Sequence, residues 1–205
     1  MAAVGVAAKR RQENRRGELL DAAAAAFARH GYDGTSIRDI AAEVGVQPSS
    51  IYYFFRAKDD LFEAVYEQGV DEIMAAVETA TRTARLPWSR LERAAVAHLE
   101  ALLGGTDYCV VVASIVPRGA SDLDRRLILQ RDRYERLFVA LIEALPLPPR
   151  CDRRLLRLAL LSALNGVLDW YRPGGDSPRS IARKIVRLFR RQLDEGATLS
   201  RLGIT

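Results

Sequence analysis

Apolar residues recur every three or four positions along almost all of this chain, and this helical period most constrains its fold. No segment alternates apolar and polar residues with a β-branched bias, as a half-buried strand would. The strongly apolar stretch 107–116 has no second strand to pair with, so we predict a short buried helix there. The chain has 205 residues, 49% of them apolar, which is enough for one large or two small cores. The sequence therefore predicts an all-α protein.

Local signals divide the first 58 residues into three short helices. Apolar spacing predicts the first over residues 13–30, and Gly31 suits the left-handed conformation that ends a helix. Ser36 and Asp39 form a capping-box pattern at the start of the second helix. That helix is predicted to end at Gly45.

The third helix is predicted to begin at Pro48, because proline is favourable in the first turn. Longer helices are predicted beyond it, at residues 58–83, 89–103, 121–145, 152–171 and 178–195. The change in helix length predicts a boundary between domains 1–58 and 59–205.

The distribution of charge is more informative than the net charge of +5, which 28 Arg and 3 Lys carry against 26 acidic residues. Five of the nine basic residues before position 59 lie within eight positions: Lys9, Arg10, Arg11, Arg15 and Arg16. Such a cluster can neutralise phosphates and release counterions. The alternative is a solvated terminal tail.

Residues 36–55 predict two short helices that meet across a tight turn, which is a helix-turn-helix. The second helix of this motif can lie in the major groove of DNA. Residues 44–58 contain no acid, and the helix is expected to expose side chains that reach base edges and phosphates: Gln47, Ser49, Ser50, Tyr52 and Tyr53. The alternative is plain helix packing, with the aromatic residues in a core.

The same stretch resembles the DNA-binding region of the TetR family of bacterial transcriptional regulators. The resemblance covers about residues 13–66 and rests on three segments at fixed spacing: Gly31–Ala41, Val44–Val46 and Ile51–Leu61. It implies a DNA-binding domain with a basic N-terminal arm over residues 1–58. Residues 59–205 would form a larger helical domain for effector binding and dimerisation.

Carried over by position, the resemblance implies a set of DNA contacts. The phosphate or sugar contacts would come from Thr35, Ser36, Tyr52, Tyr53 and Lys58, and Arg38 would lie near the backbone or a base edge. The base-reading end of the third helix would hold Gln47, Pro48, Ser49 and Ser50, and Arg16 would contribute from the basic arm. Ser49 stands where the family frequently has glycine, and Phe54 replaces a usual His or Tyr and is interpreted as packing.

The family also implies a double-stranded operator, a small effector and a homodimer formed through the two C-terminal helices. The segment Asp169–Gly175 resembles a subgroup whose effectors include acyl-CoA thioesters and other lipid-like molecules. Candidate pocket residues mix aromatic walls with a few polar groups, as ligand sites do. They are His98, Tyr108, Arg118, Arg131, Tyr134, Phe138, Asn165 and Trp170. Each of them is alternatively an ordinary core or surface residue.

We expect a cytoplasmic regulator, most simply a repressor, without a catalytic centre, cofactor or metal site. The motifs HExxH, GxSxG and GxxxxGK are absent, and the two cysteines, Cys109 and Cys151, cannot build a disulfide framework. The longest apolar run, 158–171, is too short to span a bilayer. An activator, an architectural DNA-binding protein and a helical thioester-handling enzyme remain the alternatives.

Overall fold

The computed structural model describes residues 2–201, with side chains described for residues 12–193. Within these residues the chain forms helices and no β-strand, so the prediction of an all-α fold is confirmed. The helices are α1 (Ala2–His30), α2 (Ile37–Glu43), α3 (Pro48–Tyr52), α4 (Lys58–Thr81), α5 (Pro87–Gly104), α6 (Asp107–Ser114), α7 (Asp122–Glu143), α8 (Arg153–Asn165), α9 (Val167–Trp170) and α10 (Pro178–Arg201).

The helices form two compact units. The first comprises residues up to Val70 together with Thr106–Gln130, and the second comprises Asp71–Gly105 together with residues from Arg131 onward. The boundary between compact units therefore does not fall at residue 58. The functional division into 1–58 and 59–205 remains a prediction.

Phe27 of α1 and Phe62 of α4 lie at the centre of the first unit. Their ring centroids are 4.9 Å apart, edge to face, and both side chains are almost fully buried. In this unit α1 packs against α2 and α6, and α2 packs against α3. Ile40 and Ile51 are completely buried, which fixes both short helices of the helix-turn-helix to the core.

The local signals around the helix-turn-helix behave as predicted. Gly31 and Gly45 have φ angles of 71° and 65°, a region that favours glycine, and they follow α1 and α2. The capping box at Ser36 and Asp39 is present in both directions. The start of the first helix was predicted too late, because α1 begins at Ala2 and not at residue 13.

Helix α6 confirms the prediction of a helix in the stretch 107–116, but this helix is only partly buried. Cys109 and Val111 face the core, whereas Val110 is 38% exposed. Helix α4 approaches α6 very closely at Gly69, where a Cβ atom would collide with the carbonyl oxygen of Tyr108. Only glycine allows this approach.

In the second unit α10 packs against α5 and α8. Asp152 caps α8 by accepting from the backbone N–H of Leu155 at 2.9 Å. The prediction of one continuous helix over residues 152–171 is wrong: α8 ends at Asn165 and α9 begins after Gly166. The guanidinium of Arg153 donates to the carbonyl of Ile142 at 2.6 Å and so satisfies the end of α7.

Within the described residues no single helix has the length and apolarity that a membrane crossing needs. The adjoining helices α5 and α6 pass that test only when they are taken together across the break between them.

Candidate nucleic-acid interface

Helix α3 presents polar side chains and buries one apolar side chain. Ile51 is buried, while Ser49 is exposed and Pro48 and Ser50 are half-buried. Gln47 occupies the N-cap position, but its side chain makes no capping hydrogen bond, and the residue is exposed. Its amide is therefore not engaged by the helix that it precedes, as reading a base edge requires.

Tyr52 and Tyr53 are large aromatic residues on the surface, 53% and 71% exposed. Tyr52 and Tyr53 are therefore not core residues. The alternative, that aromatic residues here form a core, holds only for the next two positions: Phe54 is half-buried and Phe55 is 5% exposed. The interpretation of Phe54 as packing fits its placement. It meets the Tyr53 ring edge to face, with centroids 5.0 Å apart.

The N-terminal part of α1 contacts the segment that follows α3. The side-chain amide of Gln12 donates to the Tyr53 hydroxyl oxygen at 3.0 Å, and the Arg16 guanidinium lies 5.1 Å from the centre of the Phe55 ring. Arg16 is exposed and was predicted from the basic cluster. Gln12 was missed, although it lies four residues before Arg16 and therefore on the same helix face. The side chains of Lys9, Arg10 and Arg11 lie outside the described residues.

An open depression of about 490 Å³ lies beside the start of α2. It brings five of the predicted DNA contacts together: Thr35, Ser36, Arg38, Tyr52 and Lys58. Two carboxylates, Asp33 and Asp39, also line it, so its positive charge is partly balanced.

The Ser36 side chain mainly caps the N-terminus of α2. Its hydroxyl accepts from the backbone N–H of Asp39 at 3.2 Å and donates to the Asp39 carboxylate at 2.6 Å. The hydrogen bonds that the hydroxyl and the backbone N–H of Ser36 donate to the Asp39 carboxylate lower the pKa of Asp39 below its usual value. The exposed Ser36 oxygen stays at the surface, whereas Arg38 extends from the first turn of α2 into solvent.

Thr35 is placed differently from what a side-chain phosphate contact requires. It is only 3% exposed, and its hydroxyl donates to the carbonyl oxygens of Gly31 and Ala26 at 2.8 and 3.2 Å. Those bonds tie the turn after α1 back to α1. Thr35 therefore stabilises the backbone that carries Ser36 and is not itself exposed for a side-chain contact with DNA.

Lys58 has a structural role as well as a suitable position. Its ammonium donates to the carbonyl oxygens of Tyr32 and Thr35, at 3.0 and 3.1 Å. An ammonium has three donors, and these two carbonyl oxygens accept from two of them. The Tyr32 hydroxyl donates to Asp59, and burial, with the hydrogen bond to Asp59, raises the pKa of Tyr32 to about 12.

Four of the eight predicted effector residues meet in the second unit. His98 Nδ1 lies 2.6 Å from the Tyr134 hydroxyl oxygen, and His98 Nε2 lies 3.0 Å from Asn165 Oδ1. Phe138 packs edge to face against His98, with centroids 5.8 Å apart. Burial lowers the pKa of His98 to about 4 and raises the pKa of Tyr134.

The hydrogen bonds determine which nitrogen of this neutral imidazole carries the hydrogen. An amide oxygen only accepts, so His98 Nε2 donates to Asn165. Nδ1 then accepts the hydrogen of the Tyr134 hydroxyl. The cluster is thus a satisfied, uncharged polar network between α5, α7 and α8.

The other four predicted effector residues lie elsewhere. Arg131 forms ion pairs with Asp132 and Glu135 at 3.1 and 3.6 Å. Trp170 is 56% exposed and lines a separate depression of about 330 Å³. Tyr108 and Arg118 belong to the first unit, where the Tyr108 hydroxyl donates to Asp21 at 2.7 Å and Arg118 is exposed.

Comparison with known proteins covers both parts of the chain. Residues 19–65 match the family of bacterial regulatory proteins named tetR, and residues 84–193 match the tetracyclin repressor-like C-terminal domain. The chain is 29% identical over 167 residues to the HTH-type transcriptional repressor KstR2 of Mycobacterium tuberculosis, covering 79% of this chain and 84% of the relative.

Solved structures show the same fold. The TetR-family regulator PfmR of Thermus thermophilus superposes with a TM-score of 0.67 at 26% identity, covering 84% of this chain and 97% of PfmR. AibR, solved with isovaleryl coenzyme A and operator DNA, gives a TM-score of 0.71 at 18% identity, over 85% and 97% of the two chains. The chain therefore belongs to the TetR family of ligand-responsive, DNA-binding bacterial regulators.

Proposed function

We propose that this protein is a repressor that acts in the cytoplasm as a homodimer on a palindromic operator. A small hydrophobic or acyl-CoA-like effector releases it. The observation that carries the proposal is the acid-free segment 47–53, which exposes Gln47, Ser49, Tyr52 and Tyr53, with Lys58 lining the same depression as Tyr52. Phosphates attract such a surface, and its polar side chains suit base edges.

The DNA contacts divide into two kinds. Gln47, Ser49 and Ser50, at the start of α3, are proposed to read bases with Pro48 fixing the turn. Tyr52, Tyr53 and Lys58, together with Ser36, Arg38 and Arg16, are proposed to hold phosphates. The buried Thr35 supports this surface through its bonds to the turn after α1. Phosphate contacts set register and orientation, whereas base contacts specify sequence.

Dimerisation is proposed to use α8 and α10. These helices pack against each other and leave apolar side chains in solvent: Leu155 is 62% exposed, Leu158 40% and Leu188 65%. Exposed apolar side chains on two adjacent helices favour burial against a second copy. A two-fold pair of α3 helices then fits two half-sites about one helical turn of DNA apart.

The effector is proposed to contact the cluster of His98, Tyr134, Phe138 and Asn165. Its buried aromatic rings and neutral hydrogen-bonding groups suit an apolar molecule carrying a carbonyl, which would replace the internal hydrogen bonds of the cluster. The coenzyme A thioester in AibR supports this chemical class. The ion pairs of Arg131 favour a surface role for that residue over a phosphate contact.

The experiment that tests this function starts with selection from a random-sequence duplex pool. We expect an enriched palindrome and a short protected footprint on it. Broad protection without enrichment would indicate architectural binding and contradict the proposal.

The same footprint is then titrated with acyl-CoA thioesters of increasing chain length and with free coenzyme A as the matched control. We expect release by the thioesters alone, and thioester hydrolysis during the assay would indicate an enzyme.

A further inference from the structure

We infer that Gln12 is a positioning residue: it orients the Tyr53 hydroxyl so that this hydroxyl donates its hydrogen to a DNA phosphate. The inference rests on the proposed DNA-binding surface and assigns a role to a residue outside the helix-turn-helix. Its basis is the hydrogen bond from the Gln12 amide to the Tyr53 oxygen at 3.0 Å.

The direction of this hydrogen bond is what matters. The Gln12 nitrogen can only donate, so the Tyr53 oxygen accepts. The phenolic hydrogen is therefore left for another acceptor. Tyr53 is 71% exposed, so that acceptor comes from solvent or from a bound molecule. A phosphate oxygen beside α3 is an acceptor of the required charge.

Two contacts fix the ring, and a third fixes the segment that carries it. The Tyr53 ring meets Phe54 edge to face at 5.0 Å between centroids, and Gln12 holds its hydroxyl. One turn along α1, the Arg16 guanidinium lies over the Phe55 ring at 5.1 Å. An exposed tyrosine normally samples several rotamers, and restricting it beforehand reduces the entropy lost on binding.

The test is a double-mutant cycle on the full-length protein. Binding is measured by fluorescence anisotropy with the duplex recovered by selection and with a random-sequence duplex of equal length. Gln12→Met keeps the length of the side chain and removes the donor, while Tyr53→Phe removes only the hydroxyl. We expect each substitution to weaken binding to both duplexes about 3- to 10-fold, the worth of one hydrogen bond of ordinary net strength.

Coupling between the two substitutions decides the role of Gln12. If Gln12 acts through the Tyr53 hydroxyl, the double variant binds no more weakly than Tyr53→Phe alone. Losses that multiply would show that Gln12 contacts DNA independently and would overturn the inference. Unchanged binding by Gln12→Met would overturn it as well.

Controls separate this inference from the proposed function. Asn14→Ala removes an exposed amide about 200° around α1 from Gln12 and should leave affinity unchanged. A neutral donor releases no counterion, so Gln12→Met should also keep the slope of affinity against salt. If the wild-type protein binds neither duplex, the proposed function fails. If the wild-type protein binds but Tyr53→Phe has no effect, only the role of Gln12 fails.

Discussion

The Lys58 ammonium lies 4.0 Å from the centre of the Tyr32 ring and donates to the Tyr32 carbonyl at 3.0 Å. One side chain thus joins the start of α4 to the turn between α1 and α2. Because the Thr35 carbonyl accepts from the same ammonium, Lys58 holds together the floor of the proposed phosphate site. The packing of this turn and the proposed phosphate contact therefore involve the same residue.

Lys58→Ala should weaken binding to all DNA sequences alike and reduce the magnitude of the salt slope by about one per subunit. The lost cation–π contact and carbonyl bonds should also lower the free energy of unfolding by about 2 kcal/mol. Anisotropy at several salt concentrations and urea denaturation measure the two effects. Lys184→Ala, which removes an exposed ion pair with Asp176, is the matched control and should change neither. An unchanged salt slope would argue against a phosphate contact at Lys58.

Gln47→Ala should change preference at particular base pairs and leave affinity for random DNA intact. The Gln47 side chain makes no capping bond, so its loss should not disturb α3. Losing a base contact costs about 1–3 kcal/mol at the base pair that it reads. Repeating the selection with the variant, and with the exposed Gln192→Ala as control, shows the change in preference. A uniform loss across all positions would assign Gln47 to the DNA backbone.

Burial of His98 should make stability depend on pH. Its pKa falls from 6.5 to about 4 on folding, so below pH 6.5 the unfolded chain binds more protons than the folded one. This contribution is complete above pH 6.5 and is lost as the pH falls toward 4, by about 3 kcal/mol in total. Urea titrations between pH 4 and 7.5 measure it. The slope should flatten in His98→Gln and persist in His30→Gln, and equal slopes in both variants would rule out His98 as the source.

Tyr134→Phe should raise the effector concentration needed for release from DNA. The substitution removes the hydrogen donated to His98 Nδ1 and leaves the aromatic surface in place. Release of labelled operator by an acyl-CoA series gives the midpoint for each variant. Tyr171→Phe, a half-buried tyrosine of the same unit, serves as control. An unchanged midpoint would place the effector away from this cluster.

Charge on the exposed leucines should disrupt the dimer. Leu155→Glu and Leu188→Glu each place a carboxylate on the face proposed to meet the second copy, where burying an unpaired charge is costly. Sedimentation velocity should show a shift from dimer to monomer. Leu86→Glu, at a position 71% exposed and outside α8 and α10, should remain dimeric. Dimers that survive both charges would contradict the proposed interface.

Local chemistry explains what the sequence predicted well. A capping box and two glycines with positive φ are determined by neighbouring residues, so the bounds of α2 and the turn at Gly45 followed from the sequence. The break at Gly166 did not follow from it, and neither did the hydrogen bond that Asn165 accepts from His98, a residue 67 positions away. Periodicity carries no information about such a partner. For the same reason Gln12 was missed, since its contact with Tyr53 spans 41 positions.

Gly69 limits how this regulator could be redesigned. A single methyl group at that position would collide with the Tyr108 carbonyl oxygen and with the Val112 side chain, although glycine in mid-helix otherwise costs about 1 kcal/mol relative to alanine. The usual stabilising exchange of a helical glycine for alanine would therefore separate α4 from α6. Substitutions on the exposed side of α4 are therefore open to a designer, whereas the buried position 69 must remain glycine.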